Sequence, residues 1–250
     1  MLPEVPAPDA PVVWLLADGQ PGNQTQMLGL ETRLRAAGAQ AQLKQARANW
    51  RHMLGAAILG ASGWSLDRAT SDPLAAPWPD LVIGTGRRSG PWVRYVKRAS
   101  GGTAKAAVFG QKSANTMAGL DLGLVLEHWG FPAHPRRESI PLPPTGATPE
   151  RLAAAAAAEP GLLDPAKAPW TLLIVGGRCF DHGLTPDDAG AVARAALAAA
   201  RTAGGGLAIV TSRRTGAAAA DAIRRAAPDA LFFPWDRQPN PFLALLAAAD

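Results

Sequence analysis

The chain has 250 residues, 48% of them apolar, and a formal net charge of +5. That length suits one large domain or two smaller ones, and the apolar share can bury real cores, which excludes a disordered chain. One cysteine, Cys179, excludes an intrachain disulfide and a multi-cysteine metal site, while the positive balance fits an anionic partner such as a nucleotide, a sugar phosphate or an acidic lipid.

The N-terminus, MLPEVPAPDAP, is acidic and proline-rich, unlike a secretory signal, so a cytoplasmic protein is expected. Val12 to Asp18 (VVWLLAD) reads as a strand buried on both faces of a parallel sheet. A glycine-bearing loop, Gly19 to Asn23, follows. Gln24 to Ala37 then forms a helix, with Met27, Leu30, Leu34 and Ala37 at helical spacing and Gly38 at the stop position.

The stretch from Met53 to Leu66 is the longest strongly apolar one. It is interrupted by Gly55, Gly60 and Gly63, and it falls short of the about 20 residues that span a bilayer. Its flanks carry Arg47, Arg51, His52 and Arg68, so a peripheral contact with an anionic membrane face is one reading. The favoured reading is a core-facing helix with exposed flanks.

A strand over PDLVIG, a glycine-arginine loop from Gly84 to Ser89 and a helix opened by Pro91 come next, and Gly101 and Gly102 end that helix. Short strands are expected at Ala104 to Gly110 and at Asp121 to His128. The proline-rich SIPLPPTG (Ser139 to Gly146) carries no period and marks a boundary between domains at 1–145 and 146–250. Thr148 and Pro149 open a helix through the alanine tract to Glu159.

The second half repeats the pattern. WTLLIVGG is a strand ending in paired glycines, Thr185 to Asp188 open a helix to about Thr202, and GLAIVTSRRT is the next strand and loop. Ala217 to Ala227 form a helix, ALFFPW a third strand, and NPFLALLAAAD a last helix. The expected fold class is α/β, with two Rossmann-like, doubly wound parallel-sheet units, the second incomplete.

Parallel strands deliver the chain to helix N-termini, whose free N–H groups and positive dipole attract anions. Four loops have that position: Asp18 to Asn23, Gly84 to Ser89, Gly176-Gly177-Arg178, and Thr211 to Thr215. The second resembles a dinucleotide fingerprint, yet Ser89 replaces its third glycine and no acidic residue lies near position 105 to take a ribose hydroxyl. Arg87 and Arg88 beside Gly84, Thr85 and Gly86 instead suit a phosphate or carboxylate held by a guanidinium fork. A mere tight turn with solvated arginines fits equally well.

Ser212-Arg213-Arg214-Thr215 repeats the arginine pair, with hydroxyls at Thr211, Ser212 and Thr215 placed to meet phosphate oxygens. If both arginine loops face one groove, a diphosphate sits between the halves. Glu127-His128 ends a strand, where a general base can stand. Asp187-Asp188 lies in a first helical turn, where carboxylates answer the dipole, so it is not read as a metal site. Cys179 is read as packing rather than as a nucleophile. Nucleic acid is excluded as a partner, because no helix carries a dense Lys/Arg stripe and no aromatics interleave the basic residues.

The segments DGQPGNQTQMLGL (18–30), PDLVIGTGRRS (79–89), LLIVGGRCFDHGLTPDDA (172–189), GGGLAIVTSRRT (204–215) and NPFLALLAAAD (240–250) resemble the mitochondrial-fission ELM-type family. Its bacterial members are assigned as nucleotide-sugar glycosyltransferases, and some carry a nucleoside-diphosphate-sugar epimerase label. The resemblance implies a GT-B-like architecture that binds the donor on the C-terminal half and the acceptor on the N-terminal half, with no catalytic metal and no cofactor. It implies a donor side lined by Gly176, Gly177, Ser212, Arg213, Arg214 and Asn240. The facing wall is Asp18, Asn23, Gln26, Thr85, Arg87 and Arg88, with Gly19, Gly84, Gly86 and Ser89 beside them.

The chain departs from the family at Gly110-Gln111-Lys112-Ser113, where a Gln-Asp-Pro-Arg-like run is usual, and at Trp129, which replaces an acidic residue. The family also continues past Ala249-Asp250 with a strand and a serine-containing turn that would contact the donor, so either the chain is a fragment or this member has lost its full donor site. The leading expectation is sugar transfer from a nucleotide-diphosphate donor to an unknown acceptor, with His128 or Asp18 as base. A non-catalytic adaptor, like eukaryotic relatives that recruit a dynamin-related protein, is the alternative. An NAD-dependent epimerase is disfavoured, since no Tyr-x-x-x-Lys pair accompanies the only tyrosine, Tyr95.

Overall fold

The computed structural model describes residues 9–110, 117–177 and 183–249, so Gln111, Lys112, Ser113, Arg178 and Cys179 lie outside the described residues. The chain divides into two compact units, Met1–Gly146 and Ala147–Asp250.

Unit 1 opens with β1 (Val12–Ala17), α1 (Pro21–Ala36) and β2 (Gln40–Gln45). A 3-10 turn (Trp50–Leu54) and the short α2 (Gly55–Leu59) precede β3 (Leu81–Thr85) and α3 (Gly86–Ala99). The unit ends with β4 (Lys105–Phe109), β5 (Leu122–Leu126), a second 3-10 turn (Glu127–Trp129) and β6 (Arg137–Ile140). All six strands are parallel, in the order β2-β1-β3-β4-β5-β6.

Alternation along β1 explains its unbroken apolar run, because successive side chains serve opposite faces. Val13 and Leu15 pack with Met27 of α1 and Ile83. Trp14 and Leu16 pack with Val82 and with Trp92, Val93 and Val96 of α3. Each face of the sheet therefore has its own helix layer.

Four sequence expectations shift in detail. Helix α1 begins at Pro21, so Gly22 and Asn23 belong to its first turn rather than to a loop. No loop separates β3 from α3 either: Arg87, Arg88 and Ser89 are helical, and Pro91 lies inside the helix. In that first turn the Ser89 hydroxyl donates to the Thr85 and Gly86 carbonyls at 2.9 and 3.1 Å. The expected core-facing helix over Met53 to Leu66 is broken into the 3-10 turn and five-residue α2, and only Leu59 of α2 is buried. Glu127 and His128 stand in a turn beyond β5, not in the strand.

Unit 2 contains α4 (Pro149–Ala158), β7 (Trp170–Val175), α5 (Pro186–Thr202), β8 (Gly206–Thr211), α6 (Ala217–Ala226), β9 (Leu231–Phe233) and α7 (Phe242–Ala248). Thr148 caps α4 by accepting from the Arg151 N–H at 3.4 Å. Thr185 and Asp188 form a capping pair at α5, where the Thr185 hydroxyl accepts from the Asp188 N–H at 3.1 Å and donates to its carboxylate at 2.6 Å. Asp188 is thus spent on the helix start.

The three strands run parallel in the order β7-β8-β9. Because both connections step the same way, right-handed crossovers bring α5 and α6 to one face. Ala193, Ile209 and Ile223 are buried there. The other face is filled by Trp170, Val210, Phe233 and, from α7, Leu245.

Candidate functional site

In unit 1 the strand order reverses direction at β1. From β1 the chain steps to β2 on one side and then crosses to β3 on the other. Right-handed crossovers therefore send α1 and α3 to opposite faces, and a crevice opens between their first turns at the carboxyl ends of β1 and β3. Ligands of open α/β sheets bind in such crevices.

Five expected residues meet in that crevice. Asp18 follows β1 and is buried at 6% exposure. It accepts from the Gln20 N–H on Oδ1 and from the Asn23 amide on Oδ2, both at 3.0 Å. The Thr85 hydroxyl donates to Gln26 Oε1 at 3.3 Å, tying the end of β3 to α1. Gly86 closes the arc, since a Cβ on it would lie 3.3 Å from the Asn23 amide nitrogen.

Not every expected residue faces the crevice. Ser89 is fully buried, and its Cβ and hydroxyl occupy the space that a side chain on Gly84 would need. Gly84 and Ser89 are thus a packing pair that seats α3 on β3. Arg87 is exposed and Arg88 half-buried, both in the first turn of α3. His128 is exposed beyond β5, three strands along from β1 in the sheet order, roughly 14 Å at the usual strand spacing. The structure does not bring His128 and Asp18 together.

Two residues near this crevice escape the sequence reading of the strand ends. Arg47 follows β2, and its guanidinium carbon lies 3.9 Å from where a Gly19 Cβ would stand. β2 is polar and carries no apolar run, so the position of Arg47 at a strand end has no sequence signal. Trp129 reaches to within 3.7 Å of a Cβ built on Gly110, itself 3.9 Å from the Gly86 nitrogen.

In unit 2 the turn between β8 and α6 is held by its own hydroxyls. Thr215 is 5% exposed. Its hydroxyl accepts from the Ser212 N–H at 3.0 Å and reaches the Gly176 carbonyl at 2.7 Å. Ser212 in turn accepts from the Arg214 N–H at 3.3 Å, and Thr211 accepts from the Trp235 N–H at 3.0 Å. Hydroxyls expected to face a phosphate therefore order the turn, and they leave Arg213 and Arg214 exposed at its tip.

Gly177 is required by this close approach, because any Cβ there would overlap the Arg214 carbonyl. Gly176 has open space around it. Asn240 stands at the entry to α7, where its side chain accepts from the Phe242 N–H at 2.9 Å and donates to the carbonyl of Trp235 at 3.4 Å, the residue whose N–H meets Thr211. Among the described residues no group of three or more His, Cys, Asp or Glu side chains is placed to hold a metal ion.

None of the curated proteins compared matches the chain. Among solved structures, Acinetobacter baumannii MurG is 17% identical with a TM-score of 0.40, over 96% of this chain and 72% of that one. UDP-GlcNAc 2-epimerase from Neisseria meningitidis, bound to UDP-GlcNAc, is 10% identical with a TM-score of 0.49, over 95% of this chain and 75% of that one. At these identities and scores neither likeness bears on activity. The sequence profile described as Mitochondrial fission ELM1 matches residues 21–250, nearly the whole chain, and the protein therefore belongs to the mitochondrial fission ELM1 family.

Proposed function

We propose that the protein transfers a sugar from a nucleotide-diphosphate donor to an acceptor without a catalytic metal, unit 2 holding the donor diphosphate and unit 1 the acceptor. One observation carries the reading. Arg87, Arg88, Arg213 and Arg214 stand where parallel strands pass into helix N-termini, and their side chains have no hydrogen-bond or ion-pair partner among the described residues.

Helix stability does not account for these arginines. A cation at a helix N-terminus opposes the macrodipole by about 0.3–1 kcal/mol, and neither α3 nor α6 has an acidic residue in its first turn to offset it. An anion at the same place reverses the sign of that interaction. In the transfer, negative charge grows on the departing diphosphate, and guanidinium groups beside a helix N-terminus favour that state over the ground state.

Asp18 is the better-placed base of the two candidates. It faces the crevice, and each carboxylate oxygen keeps a lone pair beyond its one hydrogen bond, so it can accept a proton from an acceptor hydroxyl. Asn23 and Gln26 orient that hydroxyl.

The test is ligand binding by calorimetry and thermal shift. UDP, GDP or their sugars are expected to stabilise the protein, by about 2.7 kcal/mol at a hundredfold excess over Kd. The double substitution Arg213→Ala and Arg214→Ala should weaken nucleoside diphosphate binding by about tenfold or more. Unchanged affinity in that variant removes the proposal. Stabilisation by NAD alone would point to epimerase chemistry, and no response to any nucleotide, with a captured protein partner, to an adaptor.

A further inference from the structure

Between β2 and β3 the chain makes a long excursion whose tip is apolar and turned outward. Trp50 (67%), Met53 (72%), Leu54 (38%), Ile58 (63%) and Trp64 (66%) are five of the ten exposed large hydrophobic side chains among the described residues, and they fall within fifteen positions of one another. Single exposed apolar side chains are ordinary, but a cluster of this kind marks a contact surface.

The base of the excursion is firmly built, so the exposure is not a loose end. Asn49 donates to the Trp64 and Leu66 carbonyls at 2.9 and 3.0 Å, and its side chain accepts from the Arg51 N–H at 2.9 Å. Buried Ser65 accepts from the indole N–H of Trp92, a core residue of α3, at 2.9 Å. Leu59 is buried beneath the tip. The fold thus spends buried side chains and hydrogen bonds to present two indoles, a methionine and an isoleucine to solvent.

Charge identifies the counterpart. From residue 50 to residue 68 the chain carries the guanidinium groups of Arg51 and Arg68 against the single carboxylate of Asp67. Arg51 and Arg68, both exposed, share a hollow of about 650 Å³ with Trp64, Asn49 and Asp67. The Arg51 guanidinium also lies 5.2 Å from the centre of the Trp50 ring. Apolar tips flanked by two exposed guanidinium groups match the boundary between headgroups and acyl chains, where indoles settle at the carbonyl level and guanidinium groups at the phosphates.

The geometry points to residues 50–68 as a docking surface for the anionic face of a lipid bilayer, which the protein touches without crossing. Among the described residues no helix is long and apolar enough to cross a membrane. This surface is separate from the residues assigned to donor and acceptor, so it stands whether or not the chain transfers sugars.

Vesicle co-sedimentation of the full chain tests it. Binding is expected to vesicles of equal parts phosphatidylglycerol and phosphatidylcholine, and not to phosphatidylcholine alone. The combined variant Trp50→Ser, Met53→Ser and Ile58→Ser should lose binding by more than about tenfold. So should Arg51→Gln with Arg68→Gln, which removes charge and leaves the apolar tips. Circular dichroism of both variants should match the parent, since every substituted side chain is exposed. Absence of binding by the parent, or variants that bind like the parent, would overturn the inference. So would a parent that ignores vesicles yet self-associates in sedimentation velocity through the same side chains, which would assign the patch to a second copy of the chain.

Discussion

Gly86 joins β3 to α3 at a φ of +70°. A side chain in that conformation costs about 1–2 kcal/mol, and here its Cβ would also press on the Asn23 amide at 3.3 Å. Gly86→Ala is therefore expected to lower stability by about 1–3 kcal/mol, read as a fall in the urea midpoint at constant slope. A midpoint equal to the parent's would show that the junction tolerates a side chain. The glycines and arginines of the strand ends stand out in the sequence because only glycine permits such turns and because two of the chain's four Arg-Arg pairs, Arg87-Arg88 and Arg213-Arg214, follow closely on apolar strand runs. What each hydroxyl does is not visible there. Ser89, Ser212 and Thr215 all sit beside those arginines, yet each satisfies backbone groups of its own turn. Serine and threonine serve a ligand or a backbone equally well, and only the path of the chain decides which.

Among the elements, those buried on both faces are the ones the sequence makes plain. β1, β3, β4 and β8 are near-continuous apolar runs because helices cover both sides of them. β2 (QAQLKQ) and β6 (RESI) give no such run, since each lies at an edge of the six-stranded sheet and most of its residues keep contact with water. The helix of unit 1 that follows β3 is stitched to the sheet by an ion pair. Lys97 donates to both oxygens of Asp121 at 2.8 Å, and the Ala106 N–H joins them at 2.8 Å. Burial acts to raise the Asp121 pKa, but the Lys97 and Ala106 hydrogen bonds and nearby positive charge outweigh it and hold the carboxyl below its ordinary value. A carboxyl lowered on folding contributes its stability fully above the unfolded value of about 3.9 and loses it as the pH falls through the folded value. With the pair partly exposed, Asp121→Asn should cost about 1 kcal/mol at neutral pH. The gap between parent and variant should close in acid, and a gap independent of pH would argue that packing rather than charge is at work.

At the scale of the molecule, each unit owns a sheet with a core on either face. The division after Gly146 falls at the end of the proline-rich SIPLPPTG stretch. The outward cluster at Trp50 to Trp64 was legible in the sequence only as the less favoured of two readings, a membrane contact set against a core-facing helix. Apolar residues interrupted by glycine look the same whether they face a core or solvent, and only the absence of a covering layer distinguishes them. Unit 2 carries a feature with a practical outcome. Because both its connections step one way, β7 lies at an edge of its sheet among the described residues, and Ile174 within it is 53% exposed. The run Thr171 to Val175 has no charge, proline or bulge to discourage lateral growth. Concentrated solutions should therefore scatter light through strand-to-strand stacking, and Ile174→Lys is expected to raise the concentration at which turbidity begins while leaving the melting temperature within a few degrees. Colloidal behaviour on the bench would then trace back to the direction in which two crossovers turn.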